Sequence, residues 1–262
     1  MIPKKIHYCW LSDEKFPPFI KECMDTWHKI MPDYEMILWD KNRFDVNSVT
    51  FVKEAYEAKK WAFAADYIRL FALYNEGGIY LDTDVLVGKK FDDFLKHDFF
   101  TSLEFKKKTE YKISPEVELK RNPYSFQAAI MGATAGHPFL KDCMNWYENN
   151  RFFMPDGSFR GKHTGIAPDI YATVAQKYGF EFNNPNTQHL ENGMVVFSAN
   201  YFPSIRINVE KTSYAVHCCE GGWIKKSFWT KLRQKIITNS FLRKIFAKKE
   251  ISLKKLCEIM KE

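Results

Sequence analysis

The 262-residue sequence has no run of 18 apolar residues, so no stretch is long enough to span a membrane as a helix. The opening MIPKKIHYCWLSDEKFPP lacks the uninterrupted apolar centre of a secretory signal. Six cysteines (Cys9, Cys23, Cys143, Cys218, Cys219 and Cys257) include no C-x-x-C pair, and a chain of this size buries enough core to dispense with disulfides. They read as reduced thiols, which makes the cytoplasm the expected location. No internal repeat or low-complexity stretch interrupts the chain, which excludes a solenoid. Positive charge is scarce where a nucleic-acid-binding body would need it. The net charge is +7, yet residues 225–262 alone hold 12 Lys/Arg against 3 Glu, which leaves the rest slightly acidic. No nucleic-acid partner is expected for such a body.

What is present is an ordinary apolar share of 45% with many aromatics, 23 Phe, 13 Tyr and 7 Trp. Aromatic faces serve sugar sites and plain cores alike. Residues 4–10 read as a strand and 16–31 as a helix, with Pro17 and Pro18 at its start, where a missing N–H costs nothing. Residues 35–39 read as a second strand, so the chain opens as a parallel α/β sheet. A helix is predicted over 51–76, because Trp61, Ala65, Ile68, Ala72 and Asn75 recur every three to four residues. Gly77-Gly78 ends it, since glycine takes a positive φ without a Cβ clash. Ile79-Tyr80-Leu81 is a short strand. Beyond a polar stretch at 106–123, a strand is predicted at 126–131, with helices at 138–150 and 169–178.

Asp82 and Asp84 follow the short strand. Carboxylates at i and i+2 beyond a strand end can point into one cleft, at the sheet edge where α/β proteins bind ligands. Such a pair can hold a divalent cation, Mn2+ or Mg2+, against a diphosphate. Chance alone supplies roughly one Asp-x-Asp in a chain of this composition, so the motif's weight lies in its setting. A solvated turn is the bland alternative. A second alternative is a haloacid-dehalogenase-like phosphatase or phosphotransferase, whose first motif is also an apolar strand before Asp-x-Asp. That family needs a late acidic pair on a strand end, and Asp92-Asp93 comes too early.

The string AADYIRLFALYNEGGIYLDTDV resembles the Asp-x-Asp sugar-binding region of glycosyltransferase family 32. That family includes yeast α-mannosyltransferases and bacterial capsule and lipooligosaccharide enzymes, and the block is similar in the clostridial glucosylating toxins. IPKKIHYCW, PDYEMILWD and HCCEGGW agree with it, so the resemblance runs over about residues 2–223. It implies an α/β GT-A fold, a Rossmann-like mixed sheet with flanking helices, over residues 1–224. It implies a retaining, metal-dependent transfer of a hexose or N-acetylhexosamine. The donor would be a nucleotide-sugar, UDP-linked ahead of GDP-linked, and the acceptor a glycan or lipid-linked glycan.

Carried over by position, Trp10 sits near the nucleotide base, Asp66 and Arg69 bind donor hydroxyls, and Tyr80 and Asp82 line the ribose and sugar pocket. Asp84 is the direct metal ligand, with Asp82 beside it and His217 as a further ligand. Gly222 and Trp223 belong to the segment that closes over the diphosphate; many relatives have Ser where this chain has Gly222. The HTGIAPD segment places His163 and Asp169 on the acceptor side. Read from the residues alone, Asp66 and Arg69 share one helix face at i, i+3. They form either a surface salt bridge or, in so apolar a helix, a buried pair kept for function. Trp10 and His217 read equally as core residues. No residue stands out as a nucleophile. A non-catalytic membrane-bound sugar-binding protein is a further alternative, but it would need a broken donor site.

The tail, 225–262, places Phe228, Leu232, Ile236, Phe241, Ile245 and Phe246 among cationic side chains. This suits either an amphipathic helical appendage on an anionic membrane surface or a helix packed on the body.

Overall fold

A computed structural model of the chain describes residues 1–105, 124–160, 166–204, 206–219 and 252–261. The chain opens with β1 (Lys5–Cys9), α1 (Pro18–Ile30) and β2 (Glu35–Trp39). Two helices follow, α2 (Thr50–Glu57) and α3 (Trp61–Glu76), then β3 (Gly78–Leu81) and β4 (Val85–Val87). Next come β5 (Phe99–Phe105), β6 (Tyr124–Phe126), β7 (Ile130–Ala133), α4 (Pro138–Glu148) and α5 (Ala167–Ala175). The remaining elements are β8 (Gln188–His189), β9 (Met194–Phe197), β10 (Ala215–His217) and α6 (Leu253–Lys261).

The main sheet runs β2-β1-β3-β7-β5-β9-β8, with β6 beside β5. Strands β2, β1 and β3 are parallel, a Rossmann-like half in which Ile6 opposes both Met36 and Ile79. Beyond β3 the sheet turns mixed: β7 is antiparallel to β3 and β5, whereas β9 is parallel to β5. This is the α/β arrangement expected of a GT-A domain, a mixed central sheet with flanking helices. Two large apolar clusters account for its stability. One unites α2–α5 with a sheet face, and the other lies around Trp27, Phe91, Phe94, Phe100 and Phe202.

Two elements differ from the sequence reading. The single helix expected over 51–76 is two, because Lys59 adopts φ 56° and breaks the helical path between α2 and α3. The strand expected at 126–131 is two strands around a turn at Gln127–Ala129. The tail's last helix, α6, is packed on the body. Leu256 and Met260 are fully buried among Cys23, Leu86 and Val216. Gly88 is what lets α6 come so close, since a Cβ there would lie 2.6 Å from Met260. The rest of the tail, and the 106–123 stretch, lie outside the described residues.

Gly77 ends α3 as expected, with φ 62° and its N–H donating to the Leu73 carbonyl at 2.9 Å. The chain therefore reverses tightly and enters β3, whose last residue delivers Asp82 to the carboxyl edge of the parallel half. From there it leaves the main sheet. β4 pairs antiparallel with β10 in a two-stranded ribbon, Val85 opposite His217. α6 and the second apolar cluster cover the two faces of that ribbon: Leu86 and Val216 face α6, while Val85, Val87 and Ala215 face the cluster.

Met260→Ala removes a fully buried side chain between α6 and the ribbon. It is expected to cost about 2–5 kcal/mol, read as a lowered urea midpoint of the whole chain. An unchanged midpoint would mean that α6 is not part of the cooperative unit.

Candidate active site

The site is built from four chain segments. Helix α3 brings Asp66 and Arg69, β3 and the residues after it bring Tyr80, Asp82 and Asp84, β10 brings His217, and the Gln127–Ala129 turn closes the back. Helix α3 is buried nearly all round, and its only buried charged residues are Asp66 and Arg69. Their burial is bearable because all three nitrogens of the Arg69 guanidinium have partners. Its Nη2 lies 3.0 Å from Asp66 Oδ1 and 3.2 Å from Asp82 Oδ1. Its Nη1 donates to the Ala128 carbonyl at 2.6 Å, and its Nε to the Ala65 carbonyl at 3.3 Å. The Tyr80 ring lies against the same guanidinium, 4.7 Å from centroid to Cζ, and the Tyr80 hydroxyl donates to Asp82 Oδ1 at 2.9 Å. The pair is the buried one that the apolar helix pointed to, and not a surface salt bridge.

Backbone bonds fix the Asp-x-Asp segment. The Asp82 N–H donates to the Ala129 carbonyl at 2.9 Å, and the Val85 N–H to the Asp82 carbonyl at 3.0 Å, which makes a turn. The Cys218 N–H donates to the Asp84 carbonyl at 3.1 Å and ties that turn to the end of β10. His217 Nε2 is consequently 3.3 Å from Asp84 Oδ1 and 3.9 Å from Asp82 Oδ2. One ligand atom from each of Asp82, Asp84 and His217 lies within 4.8 Å of the others. Two carboxylates and an imidazole, all half-buried, are a donor set suited to a divalent cation, with room for oxygen ligands from elsewhere. The residues fit the ion that the sequence anticipated. Cys219 Sγ is 3.5 Å from Nδ1 of the same ring.

The electrostatics follow from burial. Desolvation pushes the Asp66 carboxyl up to about 7, with the Asp82 charge adding to the rise and Arg69 opposing it. Burial pulls His217 down, but its bonds to Asp84 and Cys219 outweigh this and hold its pKa well above the usual imidazole value. Arg69 is cationic throughout.

Trp10 stands at the end of β1, on the same carboxyl edge as Asp82. It is half-buried, its indole N–H donates to the Glu14 carbonyl at 2.7 Å, and its ring meets Phe16 at 4.6 Å. Asp169 lies in the first turn of α5, two residues before Tyr171, whose hydroxyl donates to the Asp66 carbonyl at 2.6 Å. His163, Gly222 and Trp223 lie outside the described residues. Tyr171 and the Gln127–Ala129 turn went unnoticed in the sequence. One signal was there: a glutamine inside the otherwise apolar run SFQAAIMGA needs partners if that run is buried.

Residues 17–101 match the family described as a glycosyltransferase sugar-binding region containing a DXD motif. That match takes in about a third of the chain. The chain is similar to inositol phosphoceramide mannosyltransferase 3 of Schizosaccharomyces pombe, at 30% identity over 53% of this chain and 35% of that protein. It is also similar to the mannosyl phosphorylinositol ceramide synthase CSH1 of Saccharomyces cerevisiae, at 28% identity over 56% of this chain and 38% of that protein. The matches thus span little more than a third of these relatives' length. Among solved structures it is similar to the PaToxG glycosyltransferase, with a TM-score of 0.47 and 18% identity over 67% of this chain and 69% of that one. The matched stretch contains α3, β3 and the Asp-x-Asp turn, and so Asp66, Arg69, Tyr80, Asp82 and Asp84, whereas Trp10, the turn at 127–129, Tyr171 and His217 lie outside it.

One consequence of the buried carboxyl is measurable. Unfolded, Asp66 ionises near its ordinary 3.8, and folded near 7, so the folded chain holds the extra proton between those values. Stability contributed by this group therefore falls as pH rises across that window and is level above it. Asp66→Asn keeps the shape but cannot ionise. The urea midpoint of the wild type relative to Asp66→Asn is expected to drop between about pH 4.5 and about pH 7.5. A constant difference would show that Arg69 keeps Asp66 ionised throughout.

Proposed function

We propose that the chain is a retaining, metal-dependent hexosyltransferase that takes a nucleotide-sugar donor and passes the sugar to a glycan or lipid-linked glycan. The observation that carries this reading is the convergence of Asp82, Asp84 and His217 within 4.8 Å, beside a buried Asp66–Arg69–Tyr80 group. Asp84, Asp82 and His217 would hold Mn2+ or Mg2+. That ion supplies Lewis-acid stabilisation of a departing nucleoside diphosphate. Arg69 and Asp66 offer a donor and an acceptor to sugar hydroxyls from a rigid helix, and Asp82 lies between them and the cation site. Trp10 lies where a base could stack at the carboxyl edge. The hydrogen bonds around Arg69 are made before any donor arrives, so its orientation needs no rearrangement on binding.

A hexose is favoured over other sugars because the relatives' names specify mannosyl transfer. UDP is placed ahead of GDP as the carrier, and a surface glycan such as capsular polysaccharide or lipooligosaccharide as the acceptor, from the sequence resemblance. The phosphatase alternative loses support, since the group that joins Asp82 and Asp84 is an imidazole and not a late acidic pair. A binding-only protein is disfavoured because Asp66, Arg69, Asp82 and Asp84 are all present and assembled.

Thermal unfolding with UDP-glucose, UDP-galactose, UDP-N-acetylglucosamine and GDP-mannose, each with and without Mn2+, tests the reading. A donor at 100 times its Kd raises stability by about 2.7 kcal/mol. The shift is expected only with Mn2+, and Asp84→Asn is expected to abolish it while remaining folded. A Mn2+-dependent shift that survives in Asp84→Asn would remove Asp84 from the metal site.

We also propose peripheral attachment of the basic tail, 225–262, to an anionic membrane on the cytoplasmic side. The apolar side of α6 is taken up by packing, but Lys254, Lys255 and Lys261 are exposed on its other side. Each cation near such a surface contributes about 1 kcal/mol, screened by salt. Replacing the nine Lys/Arg residues of 225–249 with Gln spares α6. The variant is expected to stay in the supernatant when wild type sediments with phosphatidylglycerol vesicles at low salt. Equal sedimentation would locate the attachment elsewhere.

A further inference from the structure

We infer that Gln127 is a positioning residue that sets the spacing between the two halves of the cation site; this rests on the proposed metal-dependent reading. Gln127 is 1% exposed and reaches no ligand itself. Its own turn holds the first half of the site. The Ala128 carbonyl takes the Arg69 Nη1 bond at 2.6 Å, and the Ala129 carbonyl takes the Asp82 N–H at 2.9 Å. The Gln127 Oε1 accepts the Ala129 N–H at 3.2 Å, which braces that turn from inside.

The other end of the same amide reaches the second half. Gln127 Nε2 donates to the Phe202 carbonyl at 3.2 Å and to Ser204 Oγ at 2.5 Å, and Ser204 Oγ donates in turn to Glu104 at 2.8 Å. The 202–204 segment is the one that places β10's last residue. The Pro203 carbonyl accepts the His217 N–H at 3.0 Å, and the Ser204 carbonyl accepts from Cys219 Sγ at 3.4 Å. One buried amide thus spans from the backbone that carries Asp82 to the backbone that carries His217. Asp82 and His217 are 135 positions apart in sequence, one just past the end of a main-sheet strand and the other at the end of a ribbon strand. Among the described residues, the ribbon pairing of β4 with β10 sets His217 opposite Val85, and the Cys218 N–H bond to the Asp84 carbonyl brings it beside Asp84; the amide adds the tie to Asp82's side.

Gln188 provides a matched control. It is also buried, and it makes three comparable bonds, to the Glu181 carbonyl, the Asn184 carbonyl and the Glu181 N–H. It does so from β8, at the far edge of the sheet. Gln127→Leu and Gln188→Leu remove the same chemistry at similar volume. The experiment measures Mn2+ binding to the full-length chain by electron paramagnetic resonance, with a melting curve for each variant. Both variants are expected to melt earlier. Gln127→Leu is expected to weaken Mn2+ binding by roughly 10–100-fold, the usual range for residues that orient metal ligands, and Gln188→Leu to leave it unchanged. Ser204→Ala breaks the same link with a smaller change. It is expected to weaken Mn2+ binding less, and to have no further effect in the Gln127→Leu background. Wild-type affinity in folded Gln127→Leu, or equal losses in both glutamine variants, would overturn the positioning role alone. If Gln127→Leu does not fold, Ser204→Ala decides, and unchanged Mn2+ affinity there overturns the role. No Mn2+ binding by the wild type would overturn the metal reading first and this role with it.

Discussion

The buried guanidinium of Arg69 is the constraint on which the rest of the site depends. A single cation is shared by Asp66, Asp82 and two carbonyls, with an aromatic ring against its face. Those partners come from four places: the helix itself, β3, the turn after β3, and the turn before β7. Arginine suits this task better than lysine because its planar fork offers several donors at fixed angles. The two carboxylates cannot both be fully compensated by one charge, and the more buried, Asp66, carries the penalty as a raised pKa. Asp82 is left half-buried, with its second oxygen directed toward His217.

The sheet's change from parallel to antiparallel pairing at β3 explains why the site opens there. On the β1 side, the edge beyond the strand ends is flanked by Trp10. On the β7 side, the neighbouring chain runs the opposite way and presents the carbonyls of its entry turn. The Asp-x-Asp turn therefore has a backbone acceptor for its own N–H on one side and an aromatic-lined edge on the other. A fully parallel sheet would not bring an entry turn to that point, because every strand would leave the sheet at the same edge.

Much of this was legible in sequence, for reasons that particular residues make plain. The paired glycines after an apolar helix, a short apolar strand and then Asp82 and Asp84 are local signals, and the local geometry follows them. Asp66 and Arg69 were legible because charges three apart in an apolar helix demand each other. The break at Lys59 was not legible, since a positive φ at a lysine has no signature in the residue itself. The 126–131 run looked like one strand because alternation cannot reveal a three-residue turn among small residues. Nothing local ties His217 to Asp82 and Asp84, which lie far back along the chain; that grouping came from the family resemblance alone. The register of β4 against β10 is set by packing on both faces of the ribbon, and one of those faces is covered by α6, whose residues lie far along the chain.

That last packing relation ties the tail to the site. The ribbon is only three residues long on each strand and, among the described residues, has no neighbour in the main sheet. A two-stranded pair of this length is not stable by itself. It persists because apolar residues cover both faces: Val85, Val87 and Ala215 toward the body, Leu86 and Val216 toward Leu256 and Met260. The side chains that would hold a cation project from the ends of this ribbon, so the rigidity of the ligand set is inherited from the body on one face and from the last helix on the other. Because α6 packs under the ribbon, the end of the tail is coupled physically to the site.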